Sequence, residues 1–129
     1  MANEEYLVKL MELEQETNRL EQQMQVIEQQ SVELQNIHLG LQELNESKEK
    51  EMFADFGKNI FIKTEIKDKN LLVDVGNKIF IKKTIPETQK VIEAQQLKII
   101  EAKNRILTRM QEIQHQMEDI IAEAEKNKD

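Results

Sequence analysis

The sequence has no cysteine and no tryptophan. Without thiols there is no disulfide framework, no thiolate zinc site and no thiol nucleophile, a composition suited to a reducing compartment. Four Phe and one Tyr are the only aromatic residues among 129, too few bulky anchors for a wide globular core, so an elongated fold is expected. Glycine and proline are nearly absent as well, with three and one. No run approaches the roughly 20 apolar residues of a membrane span. The first residues, Met1-Ala2-Asn3-Glu4-Glu5, lack the basic flank and apolar stretch of a secretory leader. A soluble cytoplasmic protein with no membrane partner is the expectation.

Charge is distributed in three blocks. Residues 1–51 carry 4 basic and 12 acidic side chains, residues 52–83 carry 7 and 4, and residues 84–129 carry 7 and 9. A nucleic-acid binder needs a clustered basic face. The middle excess is spread over lysines 58, 63, 67, 69, 78, 82 and 83, so no nucleic-acid partner is expected; charges there suit solvated strand edges.

The outer blocks are patterned for helices. With Leu10 at heptad position a and Leu13 at d, the d row reads Tyr6, Leu13, Leu20, Ile27, Leu34 and Leu41, all apolar or aromatic. The a row, Leu10, Thr17, Met24, Ser31, His38 and Asn45, mixes apolar and polar, which weakens the seam while fixing its register. The C-terminal block opens on Thr84-Ile85-Pro86-Glu87, where Thr84 caps a helix, Glu87 completes the box and Pro86 sits in the first turn. Isoleucine then recurs at 85, 92, 99, 106, 113 and 120, followed four residues later by Met110, Met117 and Ala124. Each helix has a seam that it cannot bury alone, and the two are expected to pair antiparallel.

Between them lies an internal repeat. Residues 52–64, MFADFGKNIFIKT, align without gaps on residues 71–83, LLVDVGNKIFIKK. Each copy has a β-rich run, a break at Gly57-Lys58-Asn59 or Gly76-Asn77-Lys78, and a second β-rich run, the signature of a hairpin. Lys67-Asp68-Lys69-Asn70 joins the copies with turn-forming residues. The expected fold is therefore α+β and mostly α: residues 1–50 form an N-terminal coiled-coil helix, 51–84 a double β-hairpin and 85–129 a C-terminal coiled-coil helix, within a single domain. The strands are apolar on both faces, with Ile60 and Ile62 on one side and Phe61 on the other, and with Phe53, Leu72 and Phe80 repeating the arrangement. One chain cannot cover both faces, so oligomerisation through Phe53, Gly57, Ile60, Phe61, Ile62, Leu72, Gly76, Ile79, Phe80 and Ile81 is expected.

A long helix, two consecutive hairpins and a returning helix resemble the α class of the prefoldin family. The duplicated Asp-x-Gly and Ile-Phe-Ile motifs and the helix start from Thr84 to Ile92 carry the resemblance over nearly the whole chain. Asp55 stands where family members usually have proline before the first hairpin glycine. The run Asp55-Phe56-Gly57-Lys58-Asn59-Ile60-Phe61 is closer to a prefoldin-like branch of that class. The resemblance implies a heterohexamer with another α-class subunit and β-class prefoldin subunits, joined through the hairpins. It also implies coiled-coil tips that bind non-native client proteins without ATP and pass them to a group II chaperonin. Two other roles fit the same residues: a scaffold subunit of a cytoplasmic or nuclear assembly complex, and a structural coiled coil without clients.

Chemistry-bearing motifs are sparse. Asp55-Phe56-Gly57 spells a kinase magnesium motif, but no phosphate loop or catalytic-loop signature accompanies it. His38 and His115 have no His or Glu partner at a ligand spacing along the sequence. No catalytic residues, metal ligands or cofactors are expected, and the protein is not expected to be an enzyme. Met24 and Met110 fall on seam positions, whereas Met11 and Met117 lie near the free helix ends. There Leu7 and Val8 fall at e and f, off the seam, and Ile121 faces away from the isoleucine row. Client contacts are thus placed at Tyr6, Leu7, Val8, Leu10, Met11, Leu13, Met117, Ile120 and Ile121.

Overall fold

The computed structural model describes residues 3–127. Two helices flank four strands in the order α1 (Asn3–Glu46), β1 (Glu51–Gly57), β2 (Ile60–Glu65), β3 (Leu71–Asp74), β4 (Phe80–Lys83) and α2 (Ile85–Lys126). The mostly helical fold with two hairpins is the one expected from the heptads and the repeat.

The chain divides into two compact units, one formed by residues 1–32 and 96–129 and the other by residues 33–95. In the first, the free-end halves of α1 and α2 pair antiparallel. Leu20, Ile106 and Ile113 form its core, with Leu13, Met24, Ile27, Met110 and Met117 packed against it. These are the expected seam residues of both helices. With the isoleucine row of α2 at d, its a row is Gln89, Gln96, Lys103, Met110, Met117 and Ala124. Polar seam residues find partners: Gln96 Nε2 donates to the Ser31 carbonyl at 2.9 Å. Arg109 grips Glu16 with both ends of its guanidinium, Nε at 2.8 Å and Nη2 at 2.9 Å, and reaches Glu112 through Nη1 at 3.2 Å. That two-pronged geometry is the strong form of an ion pair. It holds the Glu16 carboxyl below the usual range, first through the hydrogen bond from Arg109 and against a smaller opposing effect of desolvation.

The second unit holds the other halves of the helices and both hairpins. Leu34 and Leu41 remain on the half-buried side of α1, and Ile85 and Ile92 are buried on α2. His38 lies 3.2 Å from Glu93 across the seam, and Gln89 donates to Gln42 at 2.9 Å. The start of α2 is a capping box: Glu87 N–H donates to Thr84 Oγ1 at 3.2 Å, and Thr84 N–H donates back to Glu87 Oε1 at 3.3 Å. The Thr84 hydroxyl also donates to Glu87 at 2.8 Å, and these bonds to Thr84 lower the Glu87 pKa.

At the other junction, α1 ends without a basic residue in its last turn. Its terminal carbonyls are instead met from a distance in sequence, because Lys69 Nζ donates to Ser47 O at 2.6 Å and to Asn45 O at 3.4 Å. A cation at a helix C-terminus satisfies orphan acceptors and opposes the negative end of the dipole.

Candidate functional site

The two hairpins repeat each other in conformation as well as in sequence. In the first, Gly57 has φ 109°, followed by Lys58 at 50° and Asn59 at 64°; in the second, Gly76 has φ 120°, followed by Asn77 at 52° and Lys78 at 60°. Two central residues at positive φ define the primed turn that matches strand twist. The preceding glycine occupies a value that side chains strongly disfavour. The aspartates lock this geometry: Asp55 Oδ1 accepts from Gly57 N–H at 2.7 Å, and Asp74 Oδ1 from Gly76 N–H at 2.8 Å. Asp55-Phe56-Gly57 is thus a turn device, as its copy is. Among the described residues, no three His, Asp or Glu side chains are placed to hold a metal ion.

Each hairpin is a separate two-stranded sheet. In β1–β2, Phe53 lies opposite Lys63 and Asp55 opposite Phe61; in β3–β4, Leu72 lies opposite Lys82 and Asp74 opposite Phe80. Strand alternation therefore puts Phe53 with Phe61, and Leu72 with Phe80, on one face of their respective hairpins. Those four side chains are between 56% and 72% exposed. Ions border the first face, where Lys63 and Glu51 pair at 2.9 Å. The opposite face carries Met52, Ala54 and Ile62 in one hairpin and Leu71, Val73 and Ile81 in the other; Ala54, Leu71 and Val73 are partly covered. Ile60, Ile62, Ile79 and Ile81 are all exposed. Sequence reasoning passed over Phe56, 76% exposed, and Val75. Phe56 is the unpaired residue of a β-bulge between Asp55 and Gly57. Its signal was present as the apolar residue that precedes glycine in both repeats.

The residues expected at the free helix ends divide into two groups. Leu7, Val8, Met11 and Ile121 are exposed, as their off-seam positions imply. Tyr6 is buried at 3% exposure, and its hydroxyl accepts from Asn127 Nδ2 at 2.9 Å. Leu10, Leu13, Met117 and Ile120 are half-buried in the seam. The seven-residue row found Tyr6 but carried no sign of the polar partner that fixes it.

Among the described residues, no helix is long and apolar enough to cross a membrane. The exposed surfaces can bury apolar area and pair strand edges.

The model of the prefoldin subunit family matches residues 13–129. No curated protein matches the chain significantly. Among solved structures, the cryo-EM structure of filamentous prefoldin from Methanocaldococcus jannaschii is similar in fold, with 21% identity and a TM-score of 0.53 over 93% of this chain and 95% of that one. Because the family match takes in both hairpins, all of α2 and most of α1, the chain belongs to the prefoldin family of chaperone-type subunits.

Proposed function

We propose that this chain is an α-class prefoldin subunit that assembles through its hairpins with another α-class subunit and with β-class subunits. Its free helix ends hold non-native proteins without ATP and release them to a group II chaperonin. The observation that carries the reading is the pair of hairpins with exposed Phe53 and Phe61 on one, Leu72 and Phe80 on the other. Exposed apolar faces of that kind mark sites where another surface docks. The archaeal relative of the same fold is described as filamentous, and assembly through strand edges and apolar faces is the chemistry these hairpins offer. Contacts with clients fall to Leu7, Val8, Met11 and Ile121, which are exposed; Tyr6 contributes only when the last turn opens, as helix ends do at low cost. The mechanism is passive: many weak apolar contacts hold an extended chain against aggregation. Localisation in the cytoplasm follows from this role.

The test is reconstitution. The purified chain is mixed with β-class subunits, the complex is isolated by size exclusion, and its effect on aggregation of a chemically unfolded client is followed by light scattering. A defined hetero-oligomer that suppresses aggregation supports the proposal. A hetero-oligomer without that effect leaves the scaffold role, and failure to join β-class subunits removes the assembly reading.

A further inference from the structure

The free-end unit is electrostatically two-sided. Glu16 and Arg109, both at g, bond directly, so the g rows of α1 and α2 share one flank of the seam and the e rows share the other. In this unit Lys9, Arg19, Lys98, Arg105, Arg109 and Lys126 all fall at c or g, and Lys103, at a, is half-buried in the seam. Among the described residues of this unit, the e and b rows contain no basic residue. On α1 the e row carries Glu14, Glu21 and Glu28. On α2 it carries Ile100, Leu107, Gln114 and Ile121, joined by Leu97 at b, and the four apolar side chains are between 46% and 62% exposed. Leu107 also borders a shallow hollow lined by Met110, Gln111, Gln114 and Glu118.

Positions e that flank a two-helix seam are ordinarily charged. Here one helix presents an apolar stripe beside the other's row of carboxylates. We infer that this flank is a docking surface for a third, basic amphipathic helix supplied by a partner protein. The apolar stripe of that helix covers Leu97, Ile100 and Leu107, and its Lys or Arg residues face Glu14, Glu21 and Glu28. The row from Leu97 to Ile121, interrupted at Gln114, extends about 36 Å at 1.5 Å per residue, the length of a helix of roughly 24 residues. Carboxylates repel nucleic acid and anionic lipid, which leaves a basic protein segment as the occupant. The α1 helix of a second copy is a poor fit, because Lys9 and Arg19 are its only Lys or Arg residues. Ile121 alone is shared with the proposed client contacts; Leu97, Ile100, Leu107, Glu21 and Glu28 lie away from Leu7, Val8 and Met11, so the inference does not depend on client binding at the helix ends.

The experiment is fluorescence anisotropy on the full chain with two labelled peptides of roughly 24 residues. Both carry Leu at a and d; one has Lys and the other Glu at e and g. The basic peptide should bind at least about tenfold more tightly than the acidic one, with affinity falling as salt rises. Combined Glu14→Gln, Glu21→Gln and Glu28→Gln should weaken it about tenfold, and Ile100→Ser with Leu107→Ser should abolish it. Val26→Ser with Arg105→Gln, on the opposite flank, should leave it unchanged. Circular dichroism verifies that the helices persist, and if the apolar double variant loses them, the three-Gln variant decides. Equal binding of the two peptides, binding of neither, or an equal loss from the opposite-flank variant overturns the inference. Sedimentation that shows wild-type dimers lost on Ile100→Ser and Leu107→Ser, without peptide, assigns the flank to a second copy and overturns it as well.

Discussion

Asp55 and Asp74 occupy equivalent positions in the two repeats, and each accepts a hydrogen bond from the glycine two residues on. Those glycines carry the tightest constraint in the chain. A Cβ at Gly57 or Gly76 meets no atom within 4 Å, so the cost of substitution is conformational and comes from φ alone. Each Gly→Val change should cost about 1–3 kcal/mol locally. Gly57→Val with Gly76→Val should disrupt assembly while leaving most helical circular dichroism; an oligomer that sediments as wild type would detach the turns from assembly. Gly40 is the converse case. It lies inside α1 with open space around its Cβ position, so Gly40→Ala should stabilise the chain by about 0.5–1 kcal/mol in urea unfolding. Glu87 supplies a pH response. Its folded pKa is depressed by its bonds to Thr84, so its contribution is present above the ordinary carboxylate value and is lost as pH falls through the lower, folded one. Glu87→Gln keeps the reciprocal cap without titrating. Thermal melts through that acidic window should therefore show a smaller loss of stability in the variant than in wild type.

At the scale of elements, helix ends are fixed by different devices. The start of α2 is local, since Thr84 and Glu87 are three residues apart, and was therefore legible in the sequence. The end of α1 depends on Lys69, more than 20 residues away and in the link between hairpins. Lys69→Ala should lower the melting temperature and shorten α1, read as faster amide exchange at Leu44 to Ser47; unchanged exchange would make the cap incidental. The same contrast explains how far sequence carried the rest. The heptads placed Leu20, Ile106 and Ile113 in one seam because apolar periodicity follows from helix geometry. The repeat gave both hairpins and their turn glycines because the same turn chemistry is written twice. Pairs such as Glu16 with Arg109, or Ser31 with Gln96, depend on the register between two helices, which neither heptad contains. The hairpin faces were legible as apolar on both sides, and Phe56 escaped because a bulge breaks the alternation that the strand pattern relies on. At the helix ends, off-seam spacing identified Leu7, Val8 and Ile121 as exposed, whereas the hydrogen bond that holds the Tyr6 hydroxyl comes from Asn127, a partner across the fold.

For the whole molecule, the decisive quantity is apolar surface that a single chain leaves in water. Phe53, Phe61, Leu72 and Phe80 are more than half exposed, and each large side chain that an assembly buries contributes about 1.5–3 kcal/mol. Four such residues on two hairpins are enough to decide between monomer and oligomer, because every 1.4 kcal/mol is about tenfold in an association constant. Phe61→Ser with Phe80→Ser removes two of them without touching a turn, a cap or the helix seam. Neither ring is part of the core that holds the helices together, so thermal unfolding of the isolated chain should change little. Its association with other prefoldin subunits should weaken by at least about a hundredfold, from the lower bound of two buried side chains. Sedimentation velocity across a concentration series reads the association, and a thermal melt followed by circular dichroism reads the stability. A double variant that assembles at wild-type concentrations would show that these faces stay in water, and would move the interface to the strand edges or to Met52, Ile62 and Ile81 on the opposite faces. A variant whose helices melt would show instead that the rings support the fold of the subunit itself.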